Sequence, residues 1–163
     1  MGFMGRHFMN RVVREGDQLV VLLEGNGPGG YYTEIARVFS VGEPPQEAKD
    51  GFACAVEAQK RTVSMLKPGA TPKDIWDANN EFLQKNGSGP EGRLYAHGEG
   101  YELVERPAVR YDETMKIRAG MNMAVHPVWK NSRVWITICD NYLVTEDGSN
   151  PCLHTTPKEI LVV

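Results

Sequence analysis

The sequence predicts an α+β fold in which antiparallel hairpins build a curved sheet and helices cover one of its faces. Three observations carry this. Two apolar runs, Gln18 to Leu23 and Tyr31 to Val41, flank Asn26-Gly27-Pro28-Gly29-Gly30, a turn by composition because glycine supplies positive φ and proline fixes its own. A second pair, Met121 to Trp129 and Val134 to Val144, flanks the turn Lys130-Asn131-Ser132-Arg133. Between the pairs lie two segments whose apolar residues recur at helical spacing.

Taken in order, Met1 to Asn10 shows no period, and His7 is the group there with catalytic potential. Arg14-Glu15-Gly16-Asp17 is a turn feeding the first strand. In the return strand the alternation sets Tyr32, Glu34 and Ala36 on one face and Tyr31, Thr33, Ile35 and Arg37 on the other. Glu34 is then a strand carboxylate, either solvent-facing or aimed into a site. Gly42 to Pro45 ends this hairpin, and Gln46 to Leu66 reads as a helix with Phe52, Val56, Val63 and Leu66 on its apolar side, stopped by Lys67-Pro68-Gly69. Thr71 caps a second helix with Pro72 at its first position, Ile75, Trp76, Ala78 and Phe82 as its buried face, and Asn86-Gly87 as its end. His126 and Cys139 fall in apolar strands, where such residues are more often core than ligand. Thr145 to Gly148 is a turn and Glu159 to Val163 a closing strand.

The stretch Tyr95 to Pro107, Y-A-H-G-E-G-Y-E-L-V-E-R-P, is the centre of the functional reading. Gly98 and Gly100 predict a loop rather than a strand interior, with a backbone that something must approach closely. His97 is either presented into a cavity by that loop or is a solvated surface histidine.

Composition narrows the classes. The chain has 163 residues, long enough for one domain with its own core, and a formal net charge of -3, which leaves no electrostatic footprint for nucleic acid or an acidic membrane surface. Three cysteines without C-x-x-C spacing suggest neither a disulfide framework nor a zinc ribbon, and a reducing, cytoplasmic setting follows. No apolar run approaches the roughly 20 residues of a membrane span.

Several motifs then fall in one order. They are Gly16-Asp17 before an apolar strand; Gly30, Tyr31, Glu34 and Arg37 in G-Y-x-x-[acid]-x-x-R; Lys67 to Gly69 ending a helix; H-G-x-G-x-x-x-x-E-x-P from His97 to Pro107; Gly120-Met121 leading to His126-Pro127; and Val144 to Gly148 as V-T-E-D-G. Over nearly the whole chain this resembles the C-terminal catalytic domain of the pita-bread family, which holds methionine aminopeptidase, aminopeptidase P, prolidase and creatinase. The resemblance implies the pita-bread fold and a site that in the peptidases holds two metal ions with two aspartates, a histidine and two glutamates. Here those positions fall on Leu23, Glu34, His97, His126 and Cys139, and Val104 stands where the peptidases have a second histidine. An ordinary dimetal peptidase is not expected from this set.

Two alternatives follow from the altered positions. Glu34, His97, His126 and Cys139 form an O, N, N, S set suited to one zinc or iron ion. Otherwise the pocket is metal-free, as in creatinase, with His7 and His97 moving protons and Arg37 or Glu105 orienting the substrate. The guanidinium-binding glutamates of creatinase fall on Ala36 and His126, so creatine itself is a poor candidate. The resemblance therefore implies a hydrolase related to Xaa-Pro peptidases, acting on a small amide or amidine-type metabolite, with a non-catalytic binding or interaction module as the other reading. The family's opening helices and first strand lie upstream of this chain's start, which implies either the remainder of a longer protein or a shortened one. Apolar surface left open by that would favour a homo-oligomer or another partner.

Overall fold

The computed structural model describes residues 10–163, and His7 lies outside them. Strand β1 (Gln18–Asn26) and strand β2 (Tyr32–Ser40) pair antiparallel, with Gln18 opposite Ser40 and Glu24 opposite Glu34. A single 3-10 turn at Pro28–Gly30 joins them, and Gly29 takes the positive φ, 86°, that this reversal requires. Helices α1 (Gln46–Met65) and α2 (Pro72–Lys85) follow within a residue or so of their expected bounds. Thr71 stands at the start of α2 without capping it by its side chain; its hydroxyl accepts from Lys116 instead. The buried face of α2 is Ile75, Trp76, Asn79 and Leu83, so Ala78 and Phe82 are only partly covered. Asn79 earns its buried place by donating to the Thr62 hydroxyl at 2.7 Å, which ties α2 to α1.

Seven short strands complete the chain. They are β3 (Ala96–Gly98), β4 (Glu105–Ala108), β5 (Asn122–Val125), β6 (Val128–Lys130), β7 (Trp135–Thr137), β8 (Asp140–Leu143) and β9 (Ile160–Val162). They form an antiparallel sheet in the order β4-β3-β5-β8 and a hairpin β6-β7, while β9 adds parallel to β2. Each arm expected for the second hairpin is thus two strands, with the break after β5 falling at Pro127, which has no N–H to give a ladder. The His97 segment is likewise a strand, not a loop. Its glycine is nonetheless required by a close approach, since a Cβ on Gly98 would lie 2.8 Å from the Arg106 carbonyl oxygen.

The two main sheets are joined by an isolated bridge in which Ala36 and Cys139 exchange backbone hydrogen bonds of 3.1 and 3.2 Å. One face of the result packs on the helices: Phe52, Ala55, Ala58, Leu66, Ile75, Trp76 and Leu83 meet Tyr95, Met123, Val125, Ile136 and Ile138. Burial of this set is the main favourable term in the fold. Trp129 belongs to this core, donating Nε1–H to the Asn86 carbonyl at 2.9 Å and lying so close to α1 that a Cβ on Gly51 would sit 2.5 Å from its ring. The opposite face carries a smaller cluster of Ala36, Ala124 and Cys139, over which the candidate site opens.

A buried polar cluster locks β2 to β8 on the helix side. Arg37 uses five hydrogen bonds, to the carbonyls of Ala36, Cys139, Thr156 and Pro157 and to Asp140 at 2.7 Å. Gln59 of α1 donates to the other Asp140 oxygen at 3.1 Å, and Lys158 approaches that oxygen at 3.4 Å. Removal of these charges from water is tolerated because all five Arg37 N–H groups and both Asp140 oxygens have partners. On the far edge, Leu19, Val21 and Leu23 of β1 share one face and are exposed. No helix among the described residues is long and apolar enough to cross a membrane.

Candidate functional site

A cavity of about 480 Å³ opens on the face of the sheet away from the helices. Its walls are mostly hydrocarbon, from Leu22, Leu94, Leu103, Val104 and Val128, and its polar groups converge: Glu24, Glu34, Arg93, His97, His126 and Cys139. A pocket of that size with few, convergent polar groups is the form small-molecule sites take.

Each polar group arrives on a different element. Glu34 comes from β2, whose alternation aims it and Ala36 at the cavity while Arg37 points to the helix side. His97 sits at the middle of β3 between Ala108 of β4 and Ala124 of β5, and small neighbours on both sides leave room for its ring. His126 follows β5 and is held by its backbone N–H donating to the Tyr95 carbonyl at 2.8 Å. Cys139 precedes β8 and is held by the bridge to Ala36.

The geometry is that of a ligand set. Oε1 of Glu34 lies 3.7 Å from Nε2 of His97 and 3.9 Å from Nε2 of His126, and the three ligand atoms all lie within 4.8 Å of one another. The two imidazoles tilt at 53° with centroids 5.1 Å apart. Donors each about 2 Å from one ion stand roughly 3 to 4 Å apart, a spacing that both Glu34–histidine distances meet, so the three could hold one metal ion. Among the described residues, Glu34 is the one carboxylate in that converging set. Cys139 is not part of that set; its thiol donates to Oε1 of Glu34 at 2.8 Å.

Protonation states follow from burial. Burial raises the Glu34 carboxyl to about 7, against the Cys139 hydrogen bond that lowers it, and nearby Glu99 and Glu24 raise it further. Burial, then the charges of His97 and Arg93, push His126 down to about 3. Burial also lowers His97, and the hydrogen bond of its Nδ1 to the Gly98 carbonyl at 2.9 Å works against that. That bond assigns the proton to Nδ1, since a carbonyl only accepts, and leaves the Nε2 lone pair facing Glu34. Cys139 is pushed well up, first by burial and then by Glu34, so it stays a thiol.

The other expected site residues lie elsewhere. Arg37 is 4% exposed and engaged by Asp140 and four carbonyls, so it orients the strands and not a substrate. Glu105 does not line the cavity; its carboxylate accepts from the Glu102 backbone N–H at 2.9 Å. Leu23, matched to the family's first aspartate, is 65% exposed and turned outward, whereas its neighbour Glu24 lines the cavity opposite Glu34. Glu24 was missed because a strand register, not a motif, places it. Arg93 was also missed, set in the polar loop before the histidine stretch. So was Asn141, whose Oδ1 accepts from the Glu34 backbone N–H at 2.9 Å and from His154 at 3.0 Å while its amide donates to Glu99 and Asn122.

Comparison with known proteins shows the family and the fold. The model of metallopeptidase family M24 matches residues 4–146. The chain is 32% identical over 152 residues to the Xaa-Pro dipeptidase of Pyrococcus furiosus, covering 91% of this chain and 43% of that protein. Among solved structures, the X-Pro aminopeptidase from Thermotoga maritima matches with a TM-score of 0.86 at 30% identity over 95% of this chain and 44% of that one. The dipeptidase PepE from Mycobacterium ulcerans gives 0.84 at 28% identity, over 95% and 42%. The shared fold is the pita-bread fold, and the chain spans less than half the length of the relatives it matches.

Proposed function

Because the chain belongs to metallopeptidase family M24, we propose that it is a hydrolase related to the Xaa-Pro peptidases, with one zinc or iron ion in place of an ion pair, acting on a small amide or amidine-type metabolite. The observation that carries this is the convergence of Glu34, His97 and His126 within 4.8 Å in an open cavity whose walls are otherwise mostly hydrocarbon. A packed, dry pocket would instead favour a binding module. The reading extends to a cytoplasmic protein, supported by three free cysteines, and to self-association or cover by another segment over the exposed stripe of β1.

An ion held by Glu34, His97 and His126 would supply Lewis acidity and a bound water of lowered pKa. The chain's own residues do the rest. His97 offers Nε2 in a fixed tautomer through its Nδ1–H bond to Gly98, and His126 is kept neutral by burial. Cys139 holds a proton against Oε1 of Glu34, which fixes the carboxylate's direction. Glu24 and Arg93 put opposite charges on the cavity wall, where they orient a polarised amide or amidine. The surrounding Leu22, Leu94, Leu103 and Val104 limit water and strengthen each of these interactions.

Elemental analysis before and after chelation, on the wild type and His126→Ala, tests the reading. About one equivalent of zinc or iron, lost in the variant, is expected, followed by hydrolysis in a screen of small amides and amidines. Absence of metal after reconstitution would overturn the mononuclear site.

A further inference from the structure

The seam between the two main sheets contains a gap that one side chain fills. Alternate residues of a strand turn their N–H groups to the same edge. On the edge of β2 away from β1, Tyr32 donates to the Gly100 carbonyl at 2.7 Å and Ala36 to the Cys139 carbonyl at 3.1 Å. Glu34 lies midway between them, and its N–H meets a side chain instead, Oδ1 of Asn141 at 2.9 Å. The Asn141 amide thus stands where a neighbouring strand would offer its next carbonyl.

The orientation of this amide is fixed from four sides. A backbone N–H only donates, so Oδ1 is the atom turned to β2. The same oxygen accepts from Nε2 of His154, 3.0 Å away on the segment between β8 and β9. Nδ2 then donates to Oε2 of Glu99 and, at 3.1 Å, to Oδ1 of Asn122. Two accepted and two donated bonds use the full capacity of a carboxamide, and Asn141 is wholly buried. Aspartate would lack the donors, and leucine would lack donors and acceptor alike.

These partners lie on the strands that bring the converging set together. Glu34 of β2 is bonded directly, Glu99 stands two residues after His97 of β3, and Asn122 opens β5, which leads into His126. Glu99 and Asn122 are themselves joined, by the Glu99 N–H to the Asn122 carbonyl at 3.0 Å and by the Asn122 amide to the Glu99 carbonyl at 3.1 Å. One amide therefore indexes the carboxylate of one sheet against the two histidines of the other.

We propose that Asn141 is the positioning residue of this site: its amide sets Glu34 against His97 and His126, and His154 holds the amide in that orientation. The consequence for a bound ion rests on the hydrolase reading, whereas the placement of Glu34 is measurable without an ion.

The reporter is the Cys139 thiol, whose hydrogen bond to Oε1 of Glu34 at 2.8 Å lowers its S–H stretching frequency. In a Cys54→Ala/Cys152→Ala background it is the one thiol left, and infrared spectra of the metal-free protein record it. Asn141→Leu should move the band to the frequency of a free thiol. His154→Ala, a milder change on a partly exposed segment, should move it part of the way, and His154→Gln, which keeps a donor, should restore it. Asn79→Ala removes an equally buried amide that ties α2 to α1 and should leave the band in place. An unmoved band in Asn141→Leu or, should that variant not fold, in His154→Ala would overturn the proposal, as would a band moved equally far by Asn79→Ala. Zinc affinity, measured against a competing chelator, should fall about 10- to 100-fold in Asn141→Leu. Zinc held as tightly by that variant as by the wild type would overturn the proposal, whereas a wild type that binds no zinc would sink the metal reading and leave the thiol band to decide on Asn141.

Discussion

Cys139 donates its thiol to Oε1 of Glu34 at 2.8 Å across 105 residues of chain, and the contact exists because Ala36, two residues beyond Glu34 on β2, exchanges backbone hydrogen bonds with Cys139 itself. The thiol is thus a partner of the carboxylate and not a member of the set that converges on one point. Cys139→Ala should keep about one equivalent of metal, with affinity reduced by about tenfold for loss of a supporting contact. Glu34→Gln or His97→Ala should lose the metal, as His126→Ala does. Metal analysis by mass spectrometry after dialysis checks all four.

The raised Glu34 carboxyl makes a pH prediction for the metal-free protein. Its folded value, about 7, exceeds its ordinary 4.5, so the native state binds the extra proton and stability falls as pH rises across that window. Well above pH 7 the whole cost is present, on the order of 3 kcal/mol. Glu34→Gln lacks it and should be more stable than the wild type at pH 8, with the gap closing toward pH 4.5. Urea denaturation at pH 5, 6.5 and 8 would reveal an unchanging gap if the carboxyl were not raised.

His126 acts in the opposite sense. Its value is lowered to about 3, so the unfolded chain takes up a proton that the native state refuses, and stability falls as pH drops below 6.5. His126→Gln should resist acid better than the wild type between pH 6 and 4 while differing little at pH 8, by the same denaturation series.

Arg37 holds a buried network and no part of the cavity. Arg37→Ala should cost about 3–5 kcal/mol by leaving Asp140 charged and buried. Arg37→Lys should recover only a fraction, since one ammonium cannot reach four carbonyls and a carboxylate at once. Chemical denaturation measures both, and metal stoichiometry in whatever fraction stays folded should remain that of the wild type.

Gly98→Ala would place a Cβ 2.8 Å from a backbone oxygen of Arg106, so β3 must shift against β4 and carry His97 with it. A loss of about 1–3 kcal/mol is expected, together with weaker metal binding than Gly89→Ala, whose Cβ meets nothing closer than 3.7 Å.

Period and turn chemistry made the helices and both hairpins readable in the residues themselves. Asn26 to Gly30 could hardly be anything but a turn, and Lys67-Pro68-Gly69 could not continue a helix. What escaped depends on register and on partners distant in sequence. Glu24 reaches the cavity because it pairs with Glu34, and one residue of slip in the turn would have sent Leu23 there instead. Arg37 has the look of a substrate clamp until Asp140, Thr156 and Pro157 are seen to surround it. Glu34, His97 and His126 were legible through the order of motifs, whereas the separation of Cys139 from them turns on a few ångströms that no spacing encodes.

The bridge between Ala36 and Cys139 also bears on how the protein comes apart. Glu34 belongs to the β1-β2-β9 sheet, while His97 and His126 belong to or border the β4-β3-β5-β8 sheet. Any ion they share rivets the two sheets across the seam that the bridge and the Arg37–Asp140 pair also close. Such a rivet is lost only when the sheets part, so its binding energy opposes global opening and not merely local motion. Melting temperature should therefore climb with free zinc concentration, and proteolysis within the hairpin of β1 and β2 should slow in step, which makes resistance to a protease a gauge of occupancy that needs no substrate.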